Sequence, residues 1–489
     1  MTTFQQALHI FRKDVRHLRF EIAGILLLLI VLVLAGVQTW EGLQARGGPE
    51  SDSGGPLDVL LPIAWSLLIA RAIQTEALPG DRHFWLTRPY SRSGLLLSKA
   101  MLIVAFINLP LLVAQAAIVS LDGLPLLSNF GGLLWNQVLI SVVLLLPVAA
   151  VAALTRNLAQ FLPLVVLTGA LLAGPVSGHD SMGDLEWIRS SLGLFIAAAI
   201  GVLVLQRQYR LRRSANTAFL ALGSATAGMI LYLAFPHSLA FAIQSRVIGS
   251  PDARLALRLD QTGRPTKDFK EANRYQQMIA LPIAVTGVDP RDLRVDSSKI
   301  TFKTLSGITR QSRARVNLVE QQLVHTMSLD RTFFEAAKDS PVNVRAELYL
   351  TQFGRVRSID VPLDGTPVYI SGPGQCGVVA GYDRRTFVCR SAFQAPRPFL
   401  SDRVAPEHRY RRWSDYYSPL PALPSLNPVI AETYELVGRA SDDLAPAVPE
   451  RPATMVVRDP VAYFRYTMEA PNVRLGDFAI TEPKEDREQ

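Results

Sequence analysis

The sequence predicts a polytopic α-helical membrane bundle of about seven transmembrane helices, followed by a C-terminal, mainly-β, sandwich-like soluble domain. Two observations lead to this fold class. Charged residues are sparse before about residue 240 and frequent after it. The first half contains seven apolar runs, each long enough to cross a bilayer, whereas the second half contains short segments in which apolar and polar residues alternate.

The apolar runs set the predicted domain limits. They cover Ile22 to Val37 and residues 57–75, 94–120, 132–154, 158–176, 188–205 and 216–236. The first run follows basic residues, as a signal peptide would, but Leu34-Ala35-Gly36 is a poor cleavage site, so we predict an uncleaved span. We therefore expect a six-span core over residues 21–213, a seventh transmembrane helix at 214–240 and a β-rich domain at 241–489.

Residues 1–20 precede the first span and have the pattern of a basic amphipathic helix. One face of this helix is apolar, and basic residues occupy the other faces. Such a helix lies naturally in the lipid headgroup layer, although a solvated helix that merely precedes the span would show the same pattern. Thr3 and Gln6 have the spacing of a capping box at its start. The apolar face consists of Phe4, Ala7, Leu8, Phe11, Val15 and Leu18.

Basic residues in the loops predict the orientation of the chain, because short cytoplasmic loops are enriched in Lys and Arg. On one side lie the N-terminal helix and the loops near residues 76–92, 156 and 207–213, which carry almost all of these residues. The loops 41–56, 121–131 and 177–187 on the other side carry few. We therefore predict a multi-pass membrane protein with a cytoplasmic N-terminus and an extracytoplasmic β domain. Our expectation for the membrane is a bacterial cytoplasmic membrane, which the loop charges do not themselves indicate.

The stretch from Glu76 to Arg92 is the candidate functional segment. Its charges exclude it from hydrocarbon, so it must be a loop at one membrane face. An apolar knob (Phe84 and Trp85) could enter a cleft on a partner, while the charged residues could form ion pairs there. Alternatively, Trp85 is only an interfacial anchor and the arginines only set the topology. The candidate residues are Glu76, Asp81, Phe84, Trp85, Arg88, Pro89 and Arg92.

The pattern Glu-x-x-x-Gly, then Phe84-Trp85-Leu86, then Arg-Pro-x-Ser-Arg and Lys99, resembles the loop after the second span of ABC-2 type transporter permeases. The resemblance covers roughly residues 1–213. It implies that residues 1–20 are the cytoplasmic elbow helix of that family and that the loop meets a separate ATPase subunit. It also implies a second permease copy or homologue, because the pathway of that family forms between two bundles.

Two features depart from that family. The loop at about 177–187 is shorter than the re-entrant segment of many members, and a seventh span with a large external domain is added. The sequence contains no G-x-x-x-x-G-K-[ST] motif, so ATP would be bound by the partner subunit, and we expect no cofactor on this chain.

These features favour a transporter subunit without enzymatic activity of its own, embedded in the lipid bilayer. The net charge of +8 is shared by both halves, so we expect no nucleic-acid partner. The alternative is a membrane-anchored extracytoplasmic receptor or envelope-assembly protein whose helices only hold the β domain.

In the β-rich half, local patterns predict individual elements. Alternation at 342–350, then Gly354, then a second run at 356–361 predicts a hairpin, and a short helix is expected at about 329–338. Cys376 and Cys389 lie on two neighbouring candidate strands, which favours a disulfide across a hairpin over free thiols. His325 has no obvious partner in the sequence, and an isolated histidine is more often at the surface than catalytic.

Overall fold

The computed structural model describes most of the chain. The described residues are 2–37, 39–46, 56–75, 91–155, 157–166, 186–211, 223, 235–247, 254–262, 276–312, 315–319, 322–362, 364–370, 374–380, 385–392, 401–404, 409–412, 425–437 and 453–480. Within these residues, five helices are long and apolar enough to cross a membrane. A β-rich region follows them, so the predicted division into a helical half and a β-rich half is confirmed.

The helical half begins with a short surface helix and continues with the long apolar helices. Its helices are α1 (Thr3–His17), α2 (Arg19–Gly36), α3 (Trp40–Arg46), α4 (Pro56–Gln74), α5 (Arg92–Ile103), α6 (Leu109–Leu121), α7 (Leu126–Leu139), α8 (Leu146–Leu154), α9 (Glu186–Leu211) and α10 (His237–Val247). Residues 158–166 are also helical.

Two of the apolar helices contain a π-helical turn. Val104–Asn108 joins α5 to α6, and Ile140–Leu145 joins α7 to α8. Each pair therefore continues as one apolar helix, Ser93–Leu121 and Leu126–Leu154. A proline follows each π turn, at positions 110 and 147, where the wider turn removes the need for the hydrogen bond that proline lacks.

Five of the seven predicted spans correspond to these apolar helices. They are Arg19–Gly36, Pro56–Gln74, Ser93–Leu121, Leu126–Leu154 and Ser191–Gln208. The other two, predicted at 158–176 and 216–236, are described only in part, at residues 158–166, 223, 235 and 236. Their crossing stays a prediction.

The predicted helix at the N-terminus is confirmed as α1, but its cap lies one residue earlier than predicted. Thr2 Oγ1 accepts a hydrogen bond from Gln5 N at 3.3 Å, and Thr2 N donates to Gln5 Oε1 at 3.0 Å. The predicted box of Thr3 with Gln6 is therefore wrong. The Gln6 side chain instead accepts a hydrogen bond from Ser91 N at 3.1 Å, so tertiary contact selected the other pair.

The β-rich half forms three antiparallel sheets. The first has the strand order β1-β2-β6-β5, the second β11-β14-β7-β3-β4 and the third β12-β13-β10-β9-β8. The strands are β1 (Ala256–Leu259), β2 (Gln276–Thr286), β3 (Leu293–Thr304), β4 (Thr309–Ser312), β5 (Arg315–Val319), β6 (Gln322–Asp330), β7 (Val342–Val361), β8 (Val368–Ile370), β9 (Gly374–Ala380), β10 (Arg385–Ala392), β11 (Ser401–Val404), β12 (Arg409–Arg412), β13 (Val429–Val437) and β14 (Ala453–Val473).

One apolar cluster serves two of these sheets. It combines side chains of β2 and β6 from the first sheet with side chains of β3, β7 and β14 from the second, and it includes Phe302 and Leu348. The short helix α11 (Arg331–Ala337), which lies within the predicted 329–338, adds Phe333 and Phe334 to this cluster. Asp330 caps α11 by accepting hydrogen bonds from the amides of residues 332 and 333.

The predicted hairpin around Gly354 is wrong, because β7 runs without a turn from Val342 to Val361. Its partner β14 shifts register near Gly354, with irregularities between Arg458 and Asp459 and again before Ala462. A Cβ atom at Gly354 would lie 2.8 Å from Val461 Cγ1. The glycine therefore makes room for a neighbouring strand rather than for a turn.

The predicted disulfide between Cys376 and Cys389 is present. The two residues face each other on β9 and β10, and both are buried. The bond therefore joins adjacent strands of the third sheet. The expectation that His325 lies at the surface is wrong, because His325 on β6 is fully buried.

His325 lies between Leu323 and Met327, whose side chains belong to the cluster shared by the first two sheets. Neither ring nitrogen has a hydrogen-bond partner among the described residues. Burial lowers the pKa of His325 to about 3. The folded protein therefore keeps this imidazole neutral in mildly acidic solution, because a charge would be poorly solvated there.

We expect His325 to make the protein less stable as the pH falls from 6.5 towards 3. In that window the unfolded chain binds a proton that the folded chain does not, so the free energy of unfolding falls by up to about 1.4 kcal/mol per pH unit. Denaturation midpoints between pH 4 and 7 should show a shallower slope for His325→Leu. His9→Leu, at an exposed position on α1, is the control, and an unchanged slope for His325→Leu would contradict the prediction.

Candidate functional site

At one end of the bundle, α1 packs against the beginning of α5. Asp14 Oδ2 lies 2.7 Å from Lys99 Nζ, and each side chain is only 5% exposed. Asp14 is the only acidic residue in positions 1–20, so a basic amphipathic helix turns its single acid towards the bundle. We call this buried ion pair the α1–α5 ion pair. The isolated carboxylate of Asp14 was a signal of this ion pair in the sequence, but the sequence analysis did not predict the pair.

A second set of contacts fixes the residue at which α5 begins. Ser91 N donates to Gln6 Oε1 at 3.1 Å, and Ser91 Oγ accepts from Gly94 N at 3.2 Å as the helix cap. A Cβ atom at Gly94 would lie 3.3 Å from Thr3 O, so a glycine permits the close approach of α1. The chain is therefore held against α1 where the candidate loop ends.

The other end of the candidate loop follows α4, which is also held in place. Arg71 forms an ion pair with Glu21 of α2, and Gln74 Nε2 donates to Thr155 Oγ1 at 3.0 Å. These two contacts hold the last turns of α4 against α2 and the end of α8.

The predicted loop residues themselves are outside the described part of the chain. Glu76, Asp81, Phe84, Trp85, Arg88 and Pro89 fall in 76–90, and Arg92 is the first residue of α5. The structure thus describes both ends of the segment, Thr75 and Ser91, and the contacts that anchor them. The role of the loop residues stays a prediction.

At the opposite end of the bundle, a buried ion pair joins the helices to the third sheet. Asp122 follows α6, and its Oδ2 lies 2.8 Å from Nη2 of Arg390 on β10. The two side chains are 0% and 1% exposed. Burial lowers the pKa of Arg390, and the charge of Asp122 opposes that shift. The disulfide at Cys389 lies one residue away, so it fixes β9 beside the arginine.

A tryptophan forms a second contact between the same two parts. Trp40 Nε1 donates to the backbone oxygen of Gly365 at 2.8 Å. A Cβ atom at Gly377 on β9 would lie 2.5 Å from the Trp40 ring, so this glycine provides the space into which the indole packs. Trp40 begins α3, directly after the first apolar helix. The third sheet therefore lies over the ends of α2 and α6.

A segment of the β-rich half, residues 425–429, inserts between α6 and α7. Gln115 Nε2 donates to the backbone oxygens of Ser425 and Leu426 at 3.2 and 3.1 Å. Asn136 Nδ2 donates to Ser425 O at 2.9 Å, and Asn136 Oδ1 accepts from Ser425 N at 3.4 Å. Leu426 and Val429 join the apolar cluster of the bundle.

These amide side chains continue a hydrogen-bonded chain inside the bundle. Gln137 Nε2 donates to Gln115 Oε1 at 3.0 Å, and Asn108 Nδ2 lies 3.4 Å from Gln137 Oε1. Asn108 Nδ2 also donates to Ser141 Oγ at 2.8 Å, which links the two π-helical turns. We call these residues, with Asn136, the polar ladder. Each amide was visible in the sequence as a polar residue in an apolar run, but its partner was not.

A separate aromatic contact attaches the middle of the second sheet. The ring of Phe241 on α10 packs edge-on against Tyr349 of β7, with centroids 5.1 Å apart, and near Tyr463 of β14 at 6.0 Å. Ile188, near the start of α9, belongs to the same buried cluster. The β-rich half therefore contacts α9 and α10 as well as α3, α6 and α7.

Chemically, the arrangement holds parts of the chain together. Among the described residues, no group of three or more His, Cys, Asp or Glu side chains could hold a metal ion. Comparison of the chain with protein-family models, with curated proteins and with solved structures finds no match. The structure thus defines a helical bundle with buried polar anchors at both ends and an attached β-rich region.

We expect Asp122 and Arg390 to depend on each other strongly. Arg390→Met or Asp122→Leu removes one member of the buried ion pair, at a cost of about 3–5 kcal/mol in stability. The double replacement Asp122→Leu with Arg390→Met should cost much less than the two single changes added together. Thermal melting of the detergent-solubilised protein measures all three.

Arg345→Gln is the matched control for that cycle. Arg345 pairs with Glu347 at 3.8 Å on the exposed face of β7, and its side chain is 54% exposed. Its loss should change stability by less than about 1 kcal/mol. If the costs at positions 122 and 390 simply add, the pair does not hold the two parts of the protein together.

Proposed function

We propose that the chain is the membrane-spanning permease subunit of an ABC-2 type exporter, whose ATP is hydrolysed by a separate ATPase subunit. The observation that carries the proposal is the anchoring of both ends of the 76–90 segment at one end of the bundle. Thr75 follows a helix tied to α2 and α8, and Ser91 is tied to α1. A push on the segment would reach the helices directly, because its ends are fixed to them.

The position of α1 also supports this function. The resembling family has an amphipathic elbow helix of this kind at the cytoplasmic face. Here α1 contacts the first turns of α5 through Gln6 and Asp14. The basic residues of α1 lie at the same end of the bundle, which favours a cytoplasmic location for that end.

We further propose that the chain crosses the membrane seven times. Thr155 lies at the α1 end of the bundle, because it bonds Gln74, whereas Ile188 packs beside the β-rich half at the other end. One crossing between residues 157 and 188 satisfies both positions. The 26 residues of α9 extend about 39 Å back towards the α1 end, and Phe241 lies again beside the β-rich half. We propose a further crossing between residues 211 and 237, which would return the chain to that half.

In this arrangement the β-rich half is extracytoplasmic, and its first two sheets form a sandwich around their shared core. An extracytoplasmic location suits the Cys376–Cys389 disulfide, which persists in oxidising surroundings. The membrane would be a bacterial cytoplasmic membrane. A second permease copy or homologue would complete the pathway.

The alternative is a membrane-anchored receptor or envelope-assembly protein. The observation that favours it is the extent of attachment between the bundle and the β-rich half, which joins them at Trp40, Gln115, Asp122, Asn136 and Phe241. Such attachment would also serve a protein whose helices only hold that region. The ATPase experiment below separates the two functions.

We expect Phe84→Asp to weaken association with the ATPase about 30-fold or more. A buried aromatic anchor contributes about 2 kcal/mol or more to an interface, which is about 30-fold in Kd. Purification of the tagged chain from its native host, followed by measurement of bound ATPase and ATP turnover, tests this. Glu76→Ala should weaken both. Thr87→Asp adds the same charge in the same loop and is the control, and equal ATPase recovery with Phe84→Asp and wild type would contradict the proposal.

The orientation has its own test. In spheroplasts, a membrane-impermeant maleimide should label Leu305→Cys, at an exposed position of the β3–β4 turn where Leu305 is 75% exposed. It should label Thr87→Cys only after permeabilisation, because the loop would face the cytoplasm. Labelling of Thr87→Cys in intact spheroplasts would place the loop outside and rule out contact with a cytoplasmic ATPase.

A further inference from the structure

One continuous apolar helix, Ser93–Leu121, carries a buried anchor near each end. Lys99 forms the α1–α5 ion pair with Asp14. Asp122, directly after the helix, pairs with Arg390 of the third sheet. We propose that this helix transmits movement of α1 and the adjoining loop end to the β-rich half. The β-rich half would then be a moving part of the working protein rather than a fixed appendage.

The distance makes this a long-range link. Lys99 and Asp122 are 23 positions apart, which is about 35 Å along a helix. Both ion pairs are buried, with side chains at most 5% exposed. Separating either pair would break a close contact between two charged side chains that are almost fully buried. The helix therefore cannot shift far along its axis while both attached parts stay where they are.

The contacts of residues 425–429 with α6 and α7 fix the orientation as well as the position of the β-rich half. Gln115 and Asn136 bind the backbone of Ser425 and Leu426 through four hydrogen-bond contacts. Hydrogen bonds to backbone are directional, so a small rotation of α6 or α7 weakens them. Because Val429 begins β13, the inserted segment leads straight into the third sheet.

The middle of the helix contains the place where it can deform. The π-helical turn Val104–Asn108 interrupts the regular hydrogen-bond pattern, and such turns recur at functional sites. Asn108 bonds Ser141 in the neighbouring π-helical turn. From Asn108 the polar ladder continues through Gln137 to Gln115. A change in bend at Asn108 would therefore reach the amide that holds Leu426.

This inference goes beyond the permease function, because it concerns movement within one chain whether or not an ATPase supplies the push. The alternative is a static attachment, in which the two ends of the helix Ser93–Leu121 do not influence each other. The two differ in one measurable respect. Coupled ends must influence each other reciprocally, whereas independent ends must not.

Hydrogen exchange of the full chain in lipid nanodiscs, followed by mass spectrometry, makes that measurement. Lys99→Gln breaks the α1–α5 ion pair between Lys99 and Asp14. We expect amide exchange to accelerate in 385–392 and 425–437 by about fivefold or more, which is the lower range of typical coupling between sites. Arg71→Gln is the control, because it breaks the Glu21–Arg71 ion pair at the same end of the bundle but on α4.

The reverse perturbation completes the test. Arg390→Gln should accelerate exchange in residues 3–17 and 92–99 by a comparable factor. If Lys99→Gln does not fold, Gln6→Ala removes only the acceptor of Ser91 N and gives the same comparison with a milder change. Exchange that rises only near each substitution, in both directions, would overturn the proposal. An equal effect of Arg71→Gln would also overturn it, because the transmission would not belong to this helix.

Discussion

The backbone of Ser425 and Leu426 lies among apolar helices, where an unpaired carbonyl would cost several kcal/mol. The two amide side chains that satisfy it, Gln115 and Asn136, are themselves buried. This requirement fixes where the β-rich half can sit. With the inserted segment held at α6 and α7, Arg390 comes within reach of Asp122 and β9 comes under Trp40. The remaining contacts between the two halves follow from that placement.

The opposite end of the bundle shows a similar solution with different chemistry. There a charged pair, Asp14 with Lys99, holds an amphipathic helix against the beginning of α5, and Gln6 holds the preceding residue. Apolar contact alone would let α1 slide or rotate on the bundle surface. A buried ion pair has one favourable geometry, so it fixes the register of two helices at some cost in solvation. Both ends of the candidate loop are therefore positioned by specific polar contacts in addition to apolar packing.

Local patterns in the sequence predicted elements well where one physical rule dominates. Length and apolarity predicted five helices that the structure contains, and the alternation at 342–350 predicted a strand. The same reasoning failed where one residue type has two uses. Glycine permits a turn, but it also permits close approach, and Gly354 is needed because Val461 of β14 fills the space beside it. At the N-terminus, two Thr-Gln pairs had the spacing of a cap, and contact of Gln6 with Ser91 left Thr2 and Gln5 to form it.

By itself, the sequence determined which segments are apolar enough to be long helices and which segments alternate as strands, and it favoured a disulfide between two cysteines on neighbouring strands. These properties depend on neighbours along the chain, so local composition contains them. Only the tertiary structure decided the partners of Gln115 and Trp40, which lie 310 and 325 residues away. A buried amide signals that it needs a partner but not which one. That choice depends on how separate helices and sheets pack, and no local pattern encodes it.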